Sequence, residues 1–187
     1  MKTALILNGG GAGQPYAEIT AGSVSWARSY GYEPSAFDLT GLDIKPCRGC
    51  FNCWLRTPGR CSTRDDQDLV IAHHARSELL VLITPVVFGG YGFHLKKSLD
   101  RSIPILLPFF EKVKGELHHP MRYALETRRL AAVGVLPEPD PESERIFHEV
   151  VRRHSINLHA RPASVVVREA EDGWTHKLDA LFEGEEN

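Results

Sequence analysis

The sequence predicts an α/β fold on a doubly wound parallel sheet, and three observations carry that prediction. Short apolar runs alternate with longer segments of helical pattern along most of the chain, an order that yields a parallel sheet covered on both faces. The run LLVLIT, residues 79–84, has no polar position before its closing Thr, as strands buried on both faces do. Two glycine-rich stretches directly follow the first and third apolar runs, where the loops of such a sheet carry ligands.

The elements follow in order. Ala4 to Leu7 reads as a buried strand running into glycines. Gln14-Pro15-Tyr16 then opens a helix that ends near Tyr30-Gly31, with Pro15 suited to a first helical position, where its missing N–H has no intrahelical partner. Ser35 to Leu39 is the second strand. A long loop holding the cysteines comes next, and Asp65-Asp66 start a helix reaching about Ala75. Glu78 to Pro85 contains the third strand, followed by a glycine-rich loop and a helix with Lys96, Lys97, Asp100 and Arg101. Leu130 to Leu136 is the fourth strand, Glu142 to Leu158 a helix, Ser164 to Val167 the fifth strand and Trp174 to Phe182 a closing helix. Five such units fit a flavodoxin-like, five-stranded parallel sheet of order 2-1-3-4-5 with helices on both faces. The chain reads as one domain over 1–187, with a cysteine-rich loop at 45–64 and an insertion at about 104–129 that shows no regular pattern.

Charge narrows the partners. The formal net charge of -2 over 187 residues gives no broad electrostatic grip on nucleic acid or a membrane surface, so a small molecule or a redox protein is the expected partner. The opening MKTALILNGGG carries too short an apolar run for a secretion signal, and a cytoplasmic location is expected. Thiols stay reduced there, which turns attention from disulfides to metal or redox chemistry.

All four cysteines, Cys47, Cys50, Cys53 and Cys61, fall within CRGCFNCWLRTPGRC. The C-x2-C-x2-C-x7-C spacing lets thiolates turn inward on one small core, as in a [4Fe-4S] site. Zinc accepts four thiolates too, though its structural sites more often pair two knuckles across a longer gap. Reduced thiols without a metal are the third reading.

In the order 2-1-3-4-5 the ligand sits between the ends of the first and third strands. That nominates NGGGAGQPY, with Asn8, Gly9, Gly10, Gly11, Gly13, Gln14 and Tyr16, and TPVVFGGYG, with Thr84, Pro85, Val86, Val87, Phe88, Gly89, Gly90 and Tyr91. The first offers unobstructed amides at a helix N-terminus, a setting for phosphate, although a bare glycine run serves equally as a permissive turn. It is no Walker A loop, and as a dinucleotide fingerprint it lacks the third glycine, although Asp38 stands where a ribose-binding acid would be. The second loop combines glycines with Phe88, Tyr91 and Phe93 and suits a flat ring; the plainer alternative puts Phe88 and Phe93 in the core with Tyr91 facing out. Asp65-Asp66 read as a helix cap. The adjacent pairs His73-His74 and His118-His119 lack the i, i+4 spacing of helical metal ligands and receive no role.

The cysteine motif, the following RDDQD and LLVLITPVVFGGYGFHLKKSLDR, in this order and separation, resemble the NADPH-dependent FMN reductase and iron–sulfur flavoprotein branch of the flavodoxin-like superfamily. The resemblance extends from Met1 to about Arg101. It implies FMN, with its phosphate on the first loop and its ring along Thr84 to Tyr91, a [4Fe-4S] cluster on the four cysteines near a subunit interface, and NAD(P)H as a donor. It also implies a homodimer or homotetramer, for which the apolar IPILLPFF, residues 103–110, is a candidate contact. No side chain is expected to act as nucleophile or base, because the flavin carries the chemistry. One departure stands out: the family's phosphate loop carries Ser, Thr and Arg, whereas NGGGAGQPY has none and Pro15 removes an amide. A zinc-stabilised or redox-sensing module without flavin is the alternative.

Overall fold

The computed structural model describes residues 2–123, 125, 127–169 and 175–183. Its strands and helices alternate as expected: β1 (Lys2–Asn8), α1 (Tyr16–Ser29), β2 (Tyr32–Asp38), a short α2 (Asn52–Leu55), α3 (Gln67–His74), β3 (Leu79–Val87), β4 (Gly90–Tyr91), α4 (Phe93–Asp100), β5 (Glu111–Val113), β6 (Glu116–His118), β7 (Arg129–Leu136), α5 (Pro141–Asn157), β8 (Arg161–Arg168) and α6 (Thr175–Glu183). The main sheet runs β2-β1-β3-β7-β8, all parallel, which is the predicted order 2-1-3-4-5. The two-residue β4 adds to it by pairing antiparallel with β3.

Alternation along the strands makes the two cores. On one face Ala4 and Ile6, Leu79, Val81 and Ile83, and Ala131, Val133 and Val135 pack against Ile19 and Trp26 of α1 and Leu178 and Leu181 of α6. On the other, Leu5 and Leu7, Leu80 and Leu82, and Leu130 and Ala132 meet Val70 of α3, Leu95 of α4 and Phe147 and Val151 of α5. Asp140 caps α5 by accepting from the Ser143 N–H at 3.1 Å, with Pro141 in the first turn.

Several boundaries differ from expectation. β2 and β8 begin earlier than predicted and contain Pro34 and Pro162; both are outer strands, where a missing donor is tolerated. The stretch 104–129 is not featureless. It enters through a 3-10 turn at Ile103–Ile105, bridges Leu106 to Met121, and forms the hairpin β5–β6. The hairpin turns through Lys114 (φ 50) and Gly115 (φ 86), the left-handed pair that a tight hairpin needs. Of IPILLPFF, Pro104 and Ile105 are buried, Ile103 and 106–108 are half-buried, and Phe109 and Phe110 are exposed. The closing helix lies within 175–183, and Trp174 falls outside the described residues. No helix among the described residues is long and apolar enough to cross a membrane.

Candidate functional site

The sheet order reverses between β1 and β3, so the loops after these strands flank one crevice. The first loop is tied to its own strand. The Asn8 carboxamide accepts from Gly10 N–H at 2.9 Å and donates to the Gly11 carbonyl at 2.8 Å, while Gly9 N–H donates to the Ile83 carbonyl at 2.8 Å. Gly11 turns with φ 90, beside the Thr40 hydroxyl. A Cβ on Gly10 would stand 2.1 Å from the Tyr16 ring, so Tyr16 lies across that glycine. Ala12, Gly13 and Gln14 form the exposed tip, with open space around Gly13. Asp38 accepts from the N–H and hydroxyl of Thr40 at 2.9 and 2.7 Å and thereby shapes the facing turn.

The second loop is a hairpin rather than an open loop. Phe88 (φ 49) and Gly89 (φ 77) make the two-residue turn between β3 and β4. Thr84, fully buried, accepts from Gly92 N–H at 2.8 Å and donates to the Pro85 carbonyl at 2.9 Å. Gly89 and Gly92 make room for protein: their added Cβ atoms would meet Ile146 at 2.4 Å and Pro85 at 2.6 Å. The aromatics are arranged opposite to the plainer reading. Phe88 is 94% exposed and Phe93 68%, whereas Tyr91 packs against Phe147 and brings its hydroxyl to 3.1 Å from His154 Nδ1. Burial, aided by Lys96, lowers His154 to about 4, and burial raises Tyr91, so a neutral imidazole and a protonated phenol share this hydrogen bond.

The cysteine loop is held at both ends by one side chain. Arg101, at the end of α4, forms a two-pronged ion pair with Asp65, Nη1 to Oδ2 at 2.6 Å and Nη2 to Oδ1 at 3.0 Å. The side chains are 1% and 2% exposed. Nη1 also donates to the Lys45 carbonyl at 2.9 Å, and Nη2 to the Thr63 carbonyl at 3.1 Å. Burial disfavours the guanidinium charge, but the hydrogen bonds and charge of Asp65, with Cys61 beside it, outweigh burial and the group stays protonated. Burial likewise pushes the Asp65 carboxyl up, and its bonds from Arg101, Lys45 N–H and Gln67 N–H hold it below the usual range.

Between those ends, Cys47, Cys50, Cys53 and Cys61 all line one cavity of about 20 Å³, together with Arg48, Ser62, Arg101 and Ile103. The Cys50 thiol is lowered by the Asn52 N–H and by Ser62, while burial raises Cys53, reinforced by Cys61 and the other two thiols. No disulfide links the four. Among the described residues, no group of three or more His, Cys, Asp or Glu side chains is drawn together as a metal-ligand set. The donor chemistry nonetheless suits a thiolate-bound group: four cysteines line one cavity, and Arg101 Nε–H, buried on its wall near Cys61, has no nitrogen or oxygen partner among the described residues. The loop is docked on the insertion through Trp54, whose indole N–H reaches the carbonyls of Leu106 at 3.0 Å and Ile103 at 3.3 Å.

The sequence reading missed the Arg101–Asp65 pair. Asp65 does accept from Gln67 N–H at the start of α3, as a cap would, and Asp66 accepts from Asp43 N–H. Asp100 pairs with Lys96. The available signal was two charges of opposite sign next to the two motifs, RDD after the cysteines and LDR after the hairpin. Each of His73, His74, His118 and His119 has a nitrogen near a protein group: Arg76, Ser102, Asn157 and the Phe109 carbonyl, respectively.

Known proteins align with both parts of this picture. No protein-family profile matches the chain. Over 79 residues it is 33% identical to an iron-sulfur flavoprotein of Methanocaldococcus jannaschii, covering 42% of this chain and 40% of the relative. Over 75 residues it is 32% identical to an iron-sulfur flavoprotein of Archaeoglobus fulgidus, covering 40% and 36%. The matched stretch thus spans well under half the length of either relative. Among solved structures, the NAD(P)H:quinone oxidoreductase of Methanothermobacter marburgensis superposes with a TM-score of 0.65 at 10% identity, over 96% of this chain and 93% of that one. An FMN-dependent NADH-azoreductase of Bacillus anthracis in complex with FMN gives 0.64 at 12% identity, over 98% and 95%. The fold is therefore flavodoxin-like. The predicted resemblance to iron–sulfur flavoproteins in sequence, and to flavin-linked reductases in fold, agrees with these relatives.

Proposed function

We propose that the protein is an FMN-dependent oxidoreductase that also carries a [4Fe-4S] cluster on Cys47, Cys50, Cys53 and Cys61. The observation that carries this reading is that all four cysteines line one cavity whose wall includes Arg101, the residue that follows α4. FMN would supply one- and two-electron transfer between a donor such as NAD(P)H and a small-molecule or protein acceptor. The chain's part is to bind and orient. The backbone amides of the exposed residues Ala12, Gly13 and Gln14, just before α1, would hold the phosphate. Phe88 and Phe93 are exposed aromatic faces at the hairpin, suited to a flat ring. Thr84 and Tyr91 spend their polar atoms on holding the hairpin's shape.

The Tyr16 ring across Gly10 favours a second reading, in which the first loop holds no phosphate and the thiols serve a zinc-stabilised or redox-sensing module. Purification without oxygen, followed by a visible spectrum and quantification of iron, sulfide, zinc and FMN, separates the two. Flavin bands with about four irons per chain are expected. Zinc with neither iron nor flavin would replace the first reading by the second. A homodimer or homotetramer is part of the proposal, and light scattering of the same sample measures it.

A further inference from the structure

Arg101 has five N–H donors, and the structure accounts for four of its directions through two nitrogens. Nη1 and Nη2 are spent on Asp65 and on the carbonyls of Lys45 and Thr63, one before the first cysteine and one after the last. Among the described residues Nε–H has no nitrogen or oxygen partner, at a site where the whole residue is 2% exposed, which leaves the Cys61 sulfur as the one further side chain bonded to the guanidinium. The Cys61 sulfur stands beside the guanidinium, and both line the cavity that the other three cysteines share. Asp65 lies across the fork from Nε, so the ion pair is a fixed dipole.

We propose that Arg101 is the positioning residue of the cysteine site: it closes the loop with Nη1 and Nη2, and presents Nε–H and its positive charge to the Cys61 sulfur and whatever that sulfur ligates. The inference rests on the cluster reading above for its redox consequence, but not for its geometry. A donor and a positive charge facing a thiolate-bound cluster favour the state with one more electron, so Arg101 raises the reduction potential of that site. Asp65 keeps the guanidinium in place and weakens this effect without cancelling it, because it sits on the far side.

The test compares the full-length wild type with Arg101→Lys and Arg101→Gln, all purified without oxygen. Iron and sulfide per chain are measured first, and then the midpoint potential of the iron–sulfur signal in an electron-paramagnetic-resonance titration. The expected result is a potential below wild type in both variants, further below in Arg101→Gln, with the iron content of the loaded fraction unchanged. A purely structural role would lower cluster content or stability and leave the potential of the loaded fraction where it was; that result overturns the redox claim. Arg101→Lys, which keeps the charge, supplies the comparison if Arg101→Gln does not fold. The geometry is tested without any cofactor. In nitrogen-15 spectra of the cluster-free chain, the Arg101 Nε–H resonance, assigned by its loss in Arg101→Lys, should shift and exchange faster with water in Cys61→Ala. An unmoved resonance overturns the contact. A wild type with no iron but with that shift would sink the cluster reading and keep the contact.

Discussion

At the scale of the residue, the buried charges decide how the molecule responds to change. Asp65→Asn would leave the Arg101 guanidinium buried against a neutral partner, and losing one member of such a pair costs roughly 3–5 kcal/mol. Urea unfolding of that variant should show a midpoint well below wild type with an unchanged slope. His74 acts through pH. Burial, with Arg128 and His154 adding to it, lowers its folded value to about 3. Between the ordinary histidine value of about 6.5 and that value, the unfolded chain binds a proton that the folded chain refuses. Stability therefore falls as pH falls through this window, by at most about 1.4 kcal/mol per pH unit from this group. Denaturation curves at pH 7 and pH 5 should show the loss, and His74→Met should flatten it. None of this was legible in the sequence, where Asp65-Asp66 read as a helix cap and His73-His74 received no role, because only tertiary packing encloses Asp65 and His74.

At the scale of the element, local pattern predicted what local pattern determines. The strands of the parallel core and the helices α1, α4 and α5 were readable because apolar periodicity and turn residues agree within each. The outer strands were read short because Pro34 and Pro162 argue against a strand unless it is known to be an outer one. The hairpin β5–β6 was missed although Lys114-Gly115 turns it, because its three-residue strands are too short to show alternation. The glycine-rich stretch after β3 was read as a loop and is a tight hairpin, in which Gly89 and Gly92 make room for Ile146 and Pro85. Gly89→Ala would combine a left-handed backbone with that overlap and should destabilise by about 1–3 kcal/mol, measurable by thermal unfolding. Trp54→Ala would remove the indole's hold on Leu106 and Ile103. Trypsin should then cut faster after Arg56, Arg60 and Arg64, with little change in global unfolding.

At the scale of the whole molecule, the sheet brings the two nominated loops to one crevice and Arg101 ties the cysteine loop to the helix that follows the second. Sequence order alone predicted the crevice, because strand order 2-1-3-4-5 places its switch point there. It could not predict that Tyr16 would lie over Gly10 or that the exposed rings would be Phe88 and Phe93, since those depend on which side chains the core accepts. Binding of FMN to the folded chain should raise its stability by about 2.7 kcal/mol at a hundredfold excess over Kd. A melting temperature that does not move with added FMN would count against the flavin site.

The prolines of the two outer strands have a consequence for how copies of this chain can meet. Each flank of the sheet is one donor short along its ladder, so a second chain laid strand to strand there would find a gap in the register. Growth of a continuous intermolecular sheet, the route to fibrils, is thereby discouraged at both ends. Self-association is steered toward helices and loops, where the exposed Phe109 and Phe110 stand.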